Sequence, residues 1–325
     1  MSIHKNSIQQ STSHWNKYWV GSRDSASFSE DGVNHPYLQN FWRNYFPAVI
    51  NSNGKTKVLD VASGNGAVLD AAQLGKAHEN ISITCIDSSK QALISLKTRF
   101  PHVNILETDV RTIPFNENSF DIVTSQFGIE YAGVEYVSNI ANLVKPEGQL
   151  ALIIHHAKGS IFSECSDNTK AIKHLQDSNF LPLAIKMFEA GFFALASQNS
   201  EAAKHALAEF MPVFKSLELI MDQFGINVAG KTIQTLYNTV AKIQQNINNY
   251  AETEVIGWLQ EMSAEIPSYL GRMEAMVHAA ISTETFTNLC ESLESQNFSL
   301  TEAQEINSDE SAIPLAWVLV AKKIK

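Results

Sequence analysis

The sequence predicts an α/β fold in which a doubly wound sheet carries a large helical insertion after its fifth strand. Between residues 57 and 156, short runs of β-forming residues alternate with helical segments. Those runs are continuously apolar, which is typical of parallel strands buried on both faces. From about residue 157 to residue 281 the chain becomes almost entirely helical, and two more strands follow. With 325 residues, 44% of them hydrophobic, the chain can bury a sizeable core.

Seven strands are predicted in chain order. Five precede the insertion, at residues 57–62, 81–87, 103–109, 119–127 and 149–156. Helical spacing of apolar residues predicts helices between them, at about 66–74, 88–100 and 134–144. After the insertion, a helix over 283–298 leads to strands over 299–306 and 313–324. We therefore expect an N-terminal helical segment (1–50), a sheet domain (51–156 and 282–325) and a helical insertion (157–281) that forms a lid, an acceptor pocket or a dimer contact.

Composition narrows the function classes. The 24 Lys and Arg against 34 Asp and Glu give a net charge of −10, which repels a nucleic-acid backbone. Cys85, Cys165 and Cys290 are an odd number without C-x-x-C spacing, so we expect a reducing cytoplasm and no disulfide framework. The N-terminus has no apolar stretch typical of a secretory signal. The apolar window 180–196 contains charged residues and is short for a membrane span, so a buried helix is expected and a membrane partner is not.

The stretch "LDVASGNGAV" (59–68) ends the first predicted strand in a glycine-containing turn. Gly64 and Gly66 allow backbone conformations that side chains disfavour, and they let a ligand approach the start of a helix. In doubly wound sheets, ligands bind at the carboxyl ends of the strands, near the point where the strand order reverses. Taken alone, the turn is equally compatible with a tight connection that holds no ligand.

Acidic residues stand at the ends of the first three predicted strands. Asp60 precedes the glycines and could orient the loop or meet a cationic ligand group. Asp87 follows Gly66 at a spacing at which an acid can accept from ribose hydroxyls. Asp109 could accept from an adenine amine. Each acid alone is compatible with a helix cap, but all three at successive strand ends favour a nucleoside site.

Four segments in this order, "VLDVASGNGA", "CIDSS", "ETDVRTIPFNENSFDIVTSQFGIEY" and "LVKPEGQLALI", resemble the motifs of class I S-adenosylmethionine-dependent methyltransferases. The resemblance covers about residues 57–156 and the last two strands. It implies a seven-stranded, mostly parallel Rossmann-like sheet whose last strand is antiparallel. It also implies a set of cofactor-binding residues: Asp60, Ala62, Gly64 and Gly66 in the loop, Asp87 and Ser88 at the ribose, Asp109 and Val110 at the adenine, and Gln126 and Phe127 beside the methyl sulfonium. Ala62 stands where the family usually has glycine, and we expect a tolerated variant.

The N-terminal aromatic residues Trp15, Tyr18, Trp19 and Phe28 also resemble a segment that covers the cofactor in a bacterial small-molecule subgroup. They could form a lid that excludes water and favours a sulfonium, or they could be ordinary helix packing. Similarly, the insertion could roof an acceptor pocket, form only its own core, or support a homodimer.

Methyl transfer is an in-line displacement, and a base is needed only when the acceptor must lose a proton. We expect His155 and Tyr131 to be the catalytic candidates, because the predicted fourth and fifth strands end beside them. His155 and His156 are equally compatible with structural roles, and Glu130 could bind an acceptor or cap a helix. No H-x-x-x-H spacing is present, so no metal is expected.

The leading hypothesis is a cytoplasmic enzyme that uses S-adenosyl-L-methionine to methylate a small molecule. A nicotinamide oxidoreductase is disfavoured, because Leu69 stands where a dinucleotide fingerprint needs a small residue. A non-catalytic protein that binds the cofactor and uses the insertion to bind a partner stays open.

Overall fold

The computed structural model describes residues 35–50, 54–74, 80–307 and 312–324. The strands are β1 (Thr56–Val61), β2 (Ile81–Asp87), β3 (Asn104–Glu107), β4 (Phe120–Gln126), β5 (Val144–His155), β6 (Phe298–Asn307) and β7 (Pro314–Lys323). The α-helices are α1 (Pro36–Val49), α2 (Ala67–Ala71), α3 (Lys90–Arg99), α4 (Val137–Asn142), α5 (Ser160–Asp177), α6 (Phe180–Ser197), α7 (Glu201–Phe224), α8 (Thr232–Gln245), α9 (Glu252–Ala279) and α10 (Thr283–Ser295).

The seven strands form one sheet in the order β3-β2-β1-β4-β5-β7-β6. Strands β1 to β5 pair in parallel with their neighbours, whereas β7 is antiparallel to both β5 and β6. The predicted fold class, a doubly wound and mostly parallel seven-stranded sheet, is confirmed. Because the chain moves from β1 outward to β3 and then returns to β4, the strand order reverses between β1 and β4, and a crevice is expected there.

Several predicted boundaries differ from the observed ones. The fifth strand begins earlier than predicted, at Val144, because Val144 pairs with Phe120 and the intervening "KPEG" is accommodated as an irregularity within the β4–β5 ladder. The helix after β1 is short, since Gln73 adopts a left-handed conformation (φ 57°) just beyond it. The helix predicted over 134–144 is a 3₁₀ turn (Val134–Tyr136) followed by α4.

The chain divides into two compact units. One unit comprises the described residues within Met1–Ser163 and Ala275–Lys325, and the other is Glu164–Glu274. In the first unit, hereafter the sheet unit, aliphatic residues of β1, β4, β5 and β7 form a fully buried core with residues of α4 and α10. The second unit, hereafter the helical unit, has its own apolar core. Its residue range lies within the predicted insertion (157–281) and is shorter at both ends.

Helix α6 of the helical unit contains the apolar window that was expected to be buried. Phe180, Met187 and Phe188 are buried, but Phe193 and Leu195 near its end are exposed. The prediction of a buried helix therefore holds for only the first part of α6. Among the described residues, α6 is the one helix whose length and composition would allow it to cross a membrane.

Candidate functional site

The predicted site residues lie at the carboxyl ends of β1 to β5 in the sheet unit. Asp60 is in β1, Asp87 ends β2, and Gln126 ends β4. Asp109 follows β3, and His155 ends β5. Because β1 to β5 are parallel, all of these ends are at one edge of the sheet, and the crevice expected between β1 and β4 belongs to that edge.

The loop after β1 has three residues with left-handed backbone conformations. They are Ala62 (φ 51°), Gly64 (φ 53°) and Gly66 (φ 97°). A Cβ atom on Gly66 would lie 2.7 Å from the Phe100 ring, so this glycine allows α2 to pack closely over α3. Gly64 donates its backbone N–H to Asp87 Oδ2 at 2.9 Å, which joins the loop to the end of β2.

Ala62, the departure from the family pattern, adopts the same left-handed region that glycine adopts easily. Its methyl group packs against Gly128, where an added Cβ would lie 2.6 Å from the Ala62 Cβ. Ala62 and Gly128 thus share one small space between the loops after β1 and β4. The structure accommodates alanine at position 62 because position 128 has no side chain.

Asp60 is completely buried beside β4. Thr124 donates its hydroxyl to Asp60 Oδ1 at 2.9 Å, whereas Oδ2 has no hydrogen-bond partner among the described residues. Burial raises the pKa of Asp60 to about 7, against the opposing effect of the Thr124 hydrogen bond and with a smaller contribution from the charge of Asp87. A buried carboxyl oxygen without a donor is costly in the free protein, and a cationic amine would satisfy it.

Asp87 accepts two backbone N–H groups through different oxygens. Gly64 donates to Oδ2, and Ser89 donates to Oδ1 at 2.7 Å. Desolvation raises the pKa of Asp87, and these backbone donors oppose the rise. Ser88 is exposed beside it. Because each carboxylate oxygen can accept a second hydrogen bond, Asp87 retains acceptor capacity for ribose hydroxyls.

Asp109 and Val110 begin a 3₁₀ turn after β3. Asp109 accepts from the backbone N–H of Arg111 at 2.9 Å and from its guanidinium, through Nε at 2.7 Å and through Nη2. The hydrogen bonds from the Arg111 side chain lower the pKa of Asp109. An adenine amine would therefore share Asp109 with Arg111, while Val110 contributes a mostly buried apolar side chain.

Gln126 and Phe127 lie at the crevice, where β4 ends. Phe127 adopts a left-handed conformation (φ 49°) and turns the chain out of the strand. Trp42 of α1, fully buried, donates its indole N–H to Gln126 Oε1. The amide nitrogen Nε2 of Gln126 is buried, and the described part of the chain offers it no acceptor. Sequence reasoning missed Trp42, although its place in the apolar stripe of a helix rich in aromatic residues could have indicated a buried contact.

His155 and Tyr131, the catalytic candidates, meet at the ends of β4 and β5 together with Glu130. His155 Nδ1 lies 2.7 Å from Glu130 Oε1, and both side chains are buried. The His155 ring packs against Phe127 with 4.3 Å between ring centroids, and its edge-to-face contact with Tyr131 measures 5.7 Å. Sequence reasoning considered Glu130 only as an acceptor contact or a helix cap and missed its pairing with His155.

His156, the alternative to His155, projects from the opposite face of the sheet. It stacks on Trp317 with 4.3 Å between centroids, and its Nε2 lies 3.1 Å from Glu305 Oε1. Its Nδ1 accepts the backbone N–H of Lys158 at 2.9 Å. Each ring nitrogen therefore contacts a protein group away from the crevice, and His156 has a structural role.

The N-terminal aromatic residues Trp15, Tyr18, Trp19 and Phe28 lie outside the described residues. The described ranges contain no group of three or more His, Cys, Asp or Glu side chains that could hold a metal ion. Leu69, which disfavours a dinucleotide site, is buried in α2.

The fold and the site together define an α/β domain with acidic side chains at or just after the carboxyl ends of three successive strands, beside a glycine-containing loop. Comparison with known proteins shows what this domain is similar to. Residues 59–152 match the family profile described as a methyltransferase domain. The resemblance to class I S-adenosylmethionine-dependent methyltransferases predicted from the motifs is thus confirmed over this region.

Individual relatives match part of the chain. A ubiquinone/menaquinone biosynthesis C-methyltransferase of Rickettsia typhi is 34% identical over 100 residues, which are 28% of this chain and 40% of the relative. A release factor glutamine methyltransferase of Lactococcus lactis is 29% identical over 140 residues, 42% of this chain and 49% of the relative. The solved structure of the plantazolicin methyltransferase BpumL in complex with SAH is 9% identical over the whole of both chains, with a TM-score of 0.48. The chain spans less than half the length of these two curated relatives.

Proposed function

We propose that the protein transfers the methyl group of S-adenosyl-L-methionine to a small-molecule acceptor. The observation that carries this proposal is the buried Asp60 carboxyl, whose Oδ2 has no donor within the described residues and lies beside the glycine-containing loop. A structural aspartate would normally have partners for both oxygens, since burying an unpaired carboxyl oxygen costs about 1–3 kcal/mol. A ligand amine supplies the missing donor.

The chain's own residues match the parts of this cofactor in order along the sheet edge. Asp60 Oδ2 accepts from the amine, and the buried Gln126 Nε2 supplies a donor on the opposite side of the crevice. Asp87 accepts from the ribose hydroxyls with the acceptor capacity that Gly64 and Ser89 leave. Trp42 fixes Gln126 in this arrangement by holding its oxygen.

When bound, the cofactor supplies a methyl group on a positively charged sulfur that is already a good leaving group. The protein then needs mainly to hold the acceptor atom in line with that methyl group. Orientation of this kind can lower a barrier by about 7–11 kcal/mol. Phe127 and Tyr131 both pack against His155 at the ends of β4 and β5, and we expect the acceptor to be held on that side.

A small-molecule acceptor is supported by the net charge of −10, which disfavours a polyanion such as nucleic acid. One matched relative is named for quinone biosynthesis and the other for modification of a protein. Because each match covers less than half of this chain and less than half of the relative, neither match favours one acceptor over another.

Isothermal titration with S-adenosylmethionine and S-adenosylhomocysteine tests the cofactor assignment. We expect both to bind, and we expect Asp87→Ala to weaken binding by about 10- to 100-fold, because each lost ribose hydrogen bond is worth about 1–3 kcal/mol. Asp121→Ala is the matched control, since Asp121 is near the start of β4, at the opposite end of the strands. Folded wild-type protein that binds neither compound would exclude the proposal.

An S-adenosylhomocysteine analogue without ribose hydroxyls separates loss of the contact from damage to the loop. We expect the analogue to bind wild type weakly and Asp87→Ala no more weakly. Incubating cell extract with protein and methyl-labelled cofactor then distinguishes catalysis from binding alone. Label in small solutes supports the proposal, whereas label in protein or in nothing contradicts it.

A further inference from the structure

Glu130 and His155 form a buried carboxylate–imidazole pair beside the crevice. The Glu130 side chain has no exposed surface, and that of His155 is 1% exposed. The oxygen that contacts His155 Nδ1 also accepts the backbone N–H of the same residue, at 3.0 Å. One carboxylate oxygen therefore fixes both the main chain and the ring of His155.

This contact determines where the imidazole carries its proton. A carboxylate at Nδ1 accepts the Nδ1–H, so the neutral ring has its lone pair on Nε2. Packing against Phe127 on one side and Tyr131 on another restricts rotation of the ring. Because Phe127 directly follows β4 at the crevice, the ring is held next to the place where the acceptor is proposed to lie.

Burying the Glu130–His155 pair opposes folding, so its presence in the fold suggests a function. Glu130 Oε2 is buried and has no hydrogen-bond partner in the described ranges, which is unfavourable for a carboxylate. The structural pair of His156 and Glu305 differs, since the Glu305 side chain is 39% exposed and water can screen its charge. Of the two adjacent histidines, only His155 is paired with a fully buried carboxylate, whose charge acts at short range with little screening.

We propose, resting on the proposed function, that Glu130 is a positioning residue that makes His155 the base of the reaction, and that the acceptor is a compound with an ionisable hydroxyl, such as a phenol or an enol. His155 Nε2 takes the hydroxyl proton while the oxygen bonds to the methyl carbon, whose bond to sulfur breaks with the electron pair on sulfur. One positive charge is thereby transferred to the imidazolium, and Glu130 stabilises it. Charges and atoms balance without a further reactant.

The first test needs no turnover. ¹⁵N NMR of histidine-labelled protein saturated with S-adenosylhomocysteine reports which ring nitrogen of His155 carries the proton, with His155→Gln used to assign the signal. We expect the tautomer with hydrogen on Nδ1 and a lone pair on Nε2. A neutral His155 with its proton on Nε2 would overturn the proposal, because that nitrogen could not accept another proton.

The second test uses probe acceptors of two kinds. Phenol, catechol and 2-naphthol must lose a proton, whereas N,N-dimethylaniline and thioanisole can attack with a lone pair and need no base. We expect wild type to methylate at least one hydroxyl probe, and Glu130→Gln and His155→Gln to lower that rate by about 10²- to 10⁴-fold, the usual contribution of a general base. Any transfer to the aprotic probes should not change.

His156→Gln is the matched control, and we expect it to leave both rates unchanged. Equal loss for the two kinds of probe in Glu130→Gln would indicate structural damage and overturn the base assignment. Transfer only to aprotic probes, or to none by protein that binds S-adenosylhomocysteine, would overturn the acceptor class. Failure to bind that compound would instead contradict the proposed function.

Discussion

The sheet unit and the helical unit bury different kinds of side chains. Among the described residues of the helical unit, the buried polar residues are Asn168 and Ser268, and both contact protein groups. Asn168 Oδ1 accepts the backbone N–H of Ala229, and the Ser268 hydroxyl accepts from Arg272. The sheet unit buries many more, and those nearest the crevice include Asp60, Gln126, Glu130 and His155.

The buried polar groups of the sheet unit gather at one end of its strands. Asp60, Gln126 and Glu130 each have a buried polar atom without a partner among the described residues, and all three lie at or just after the carboxyl ends of β1 and β4. In the helical unit the buried Thr169 hydroxyl also has no such partner, but it is a neutral group. Burying such atoms opposes folding, so a stable fold retains them mainly where a ligand or a reaction uses them. Substitutions in the two units should consequently affect stability and binding in different proportions.

The largest expected effect is on the stability of the helical unit. Phe188 is completely buried in the core of that unit, so Phe188→Ala should lower the free energy of unfolding by about 3–5 kcal/mol, measured by urea denaturation. Affinity for S-adenosylhomocysteine should stay unchanged in native conditions. Phe193→Ala, at an exposed position of the same helix, is the control and should change stability by less than about 0.5 kcal/mol. A large loss of cofactor affinity in folded Phe188→Ala would break the comparison.

Asp60→Asn should change the free energy of unfolding in the opposite direction. It should stabilise the free protein and weaken cofactor binding. The pKa of Asp60 in the folded state is about 7, above the ordinary value of 3.8, so the folded protein holds a proton that the unfolded chain releases between these values. Wild-type stability therefore falls as pH rises from about 4 to 7, by up to about 4 kcal/mol. Asp60→Asn should lack this fall and be the more stable protein at pH 8, measured by denaturation at pH 5 and pH 8.

Asp60→Asn should also change the number of protons that are released when the cofactor binds. At pH 6 most Asp60 is protonated, so binding of a cationic amine should release close to one proton, detected by calorimetry in two buffers of different ionisation enthalpy. Asp60→Asn should release none and bind less tightly. Asp121→Asn, at a partly exposed ion pair, should change stability by less than about 1 kcal/mol and leave proton release as in wild type. Equal proton release by wild type and Asp60→Asn would show that the amine lies elsewhere.

The smallest effects are expected where Ala62 and Gly128 share a space. Gly128→Ala should destabilise by about 1–3 kcal/mol, because the added methyl would lie 2.6 Å from the Ala62 Cβ. Ala62→Gly alone should change stability by less than about 1 kcal/mol, since relief of backbone strain offsets the entropy of glycine. Combining both should restore part of the loss, as measured by thermal denaturation. Additive effects in the double variant would show that the two positions do not contact each other.

The sequence was sufficient to predict the fold and to place the candidate site residues at one end of the strands, because both follow from local patterns. Apolar strand runs predicted β1, β2, β4 and β5, and the spacing from Gly66 to Asp87 predicted adjacent strand ends. Burial on both faces was wrong for β3, which is short and mostly exposed because it is the edge strand. Contacts distant in sequence were not predictable in this way. Trp42 with Gln126 and Glu130 with His155 are 84 and 25 residues apart, and neither pair has a local signal. Irregular ladders such as β4–β5 also depend on tertiary pairing, which moved the start of β5 to Val144.

A crystal structure of the protein with S-adenosylhomocysteine tests the central claim most directly, since it shows what the buried polar edge of the sheet unit binds. We predict that the amine lies within hydrogen-bond distance of Asp60 Oδ2, that the ribose hydroxyls contact Asp87, and that the sulfur lies on the side of Phe127 and His155. A nucleoside bound away from the β1–β4 crevice, or an amine that leaves Asp60 Oδ2 without a donor, would contradict the account.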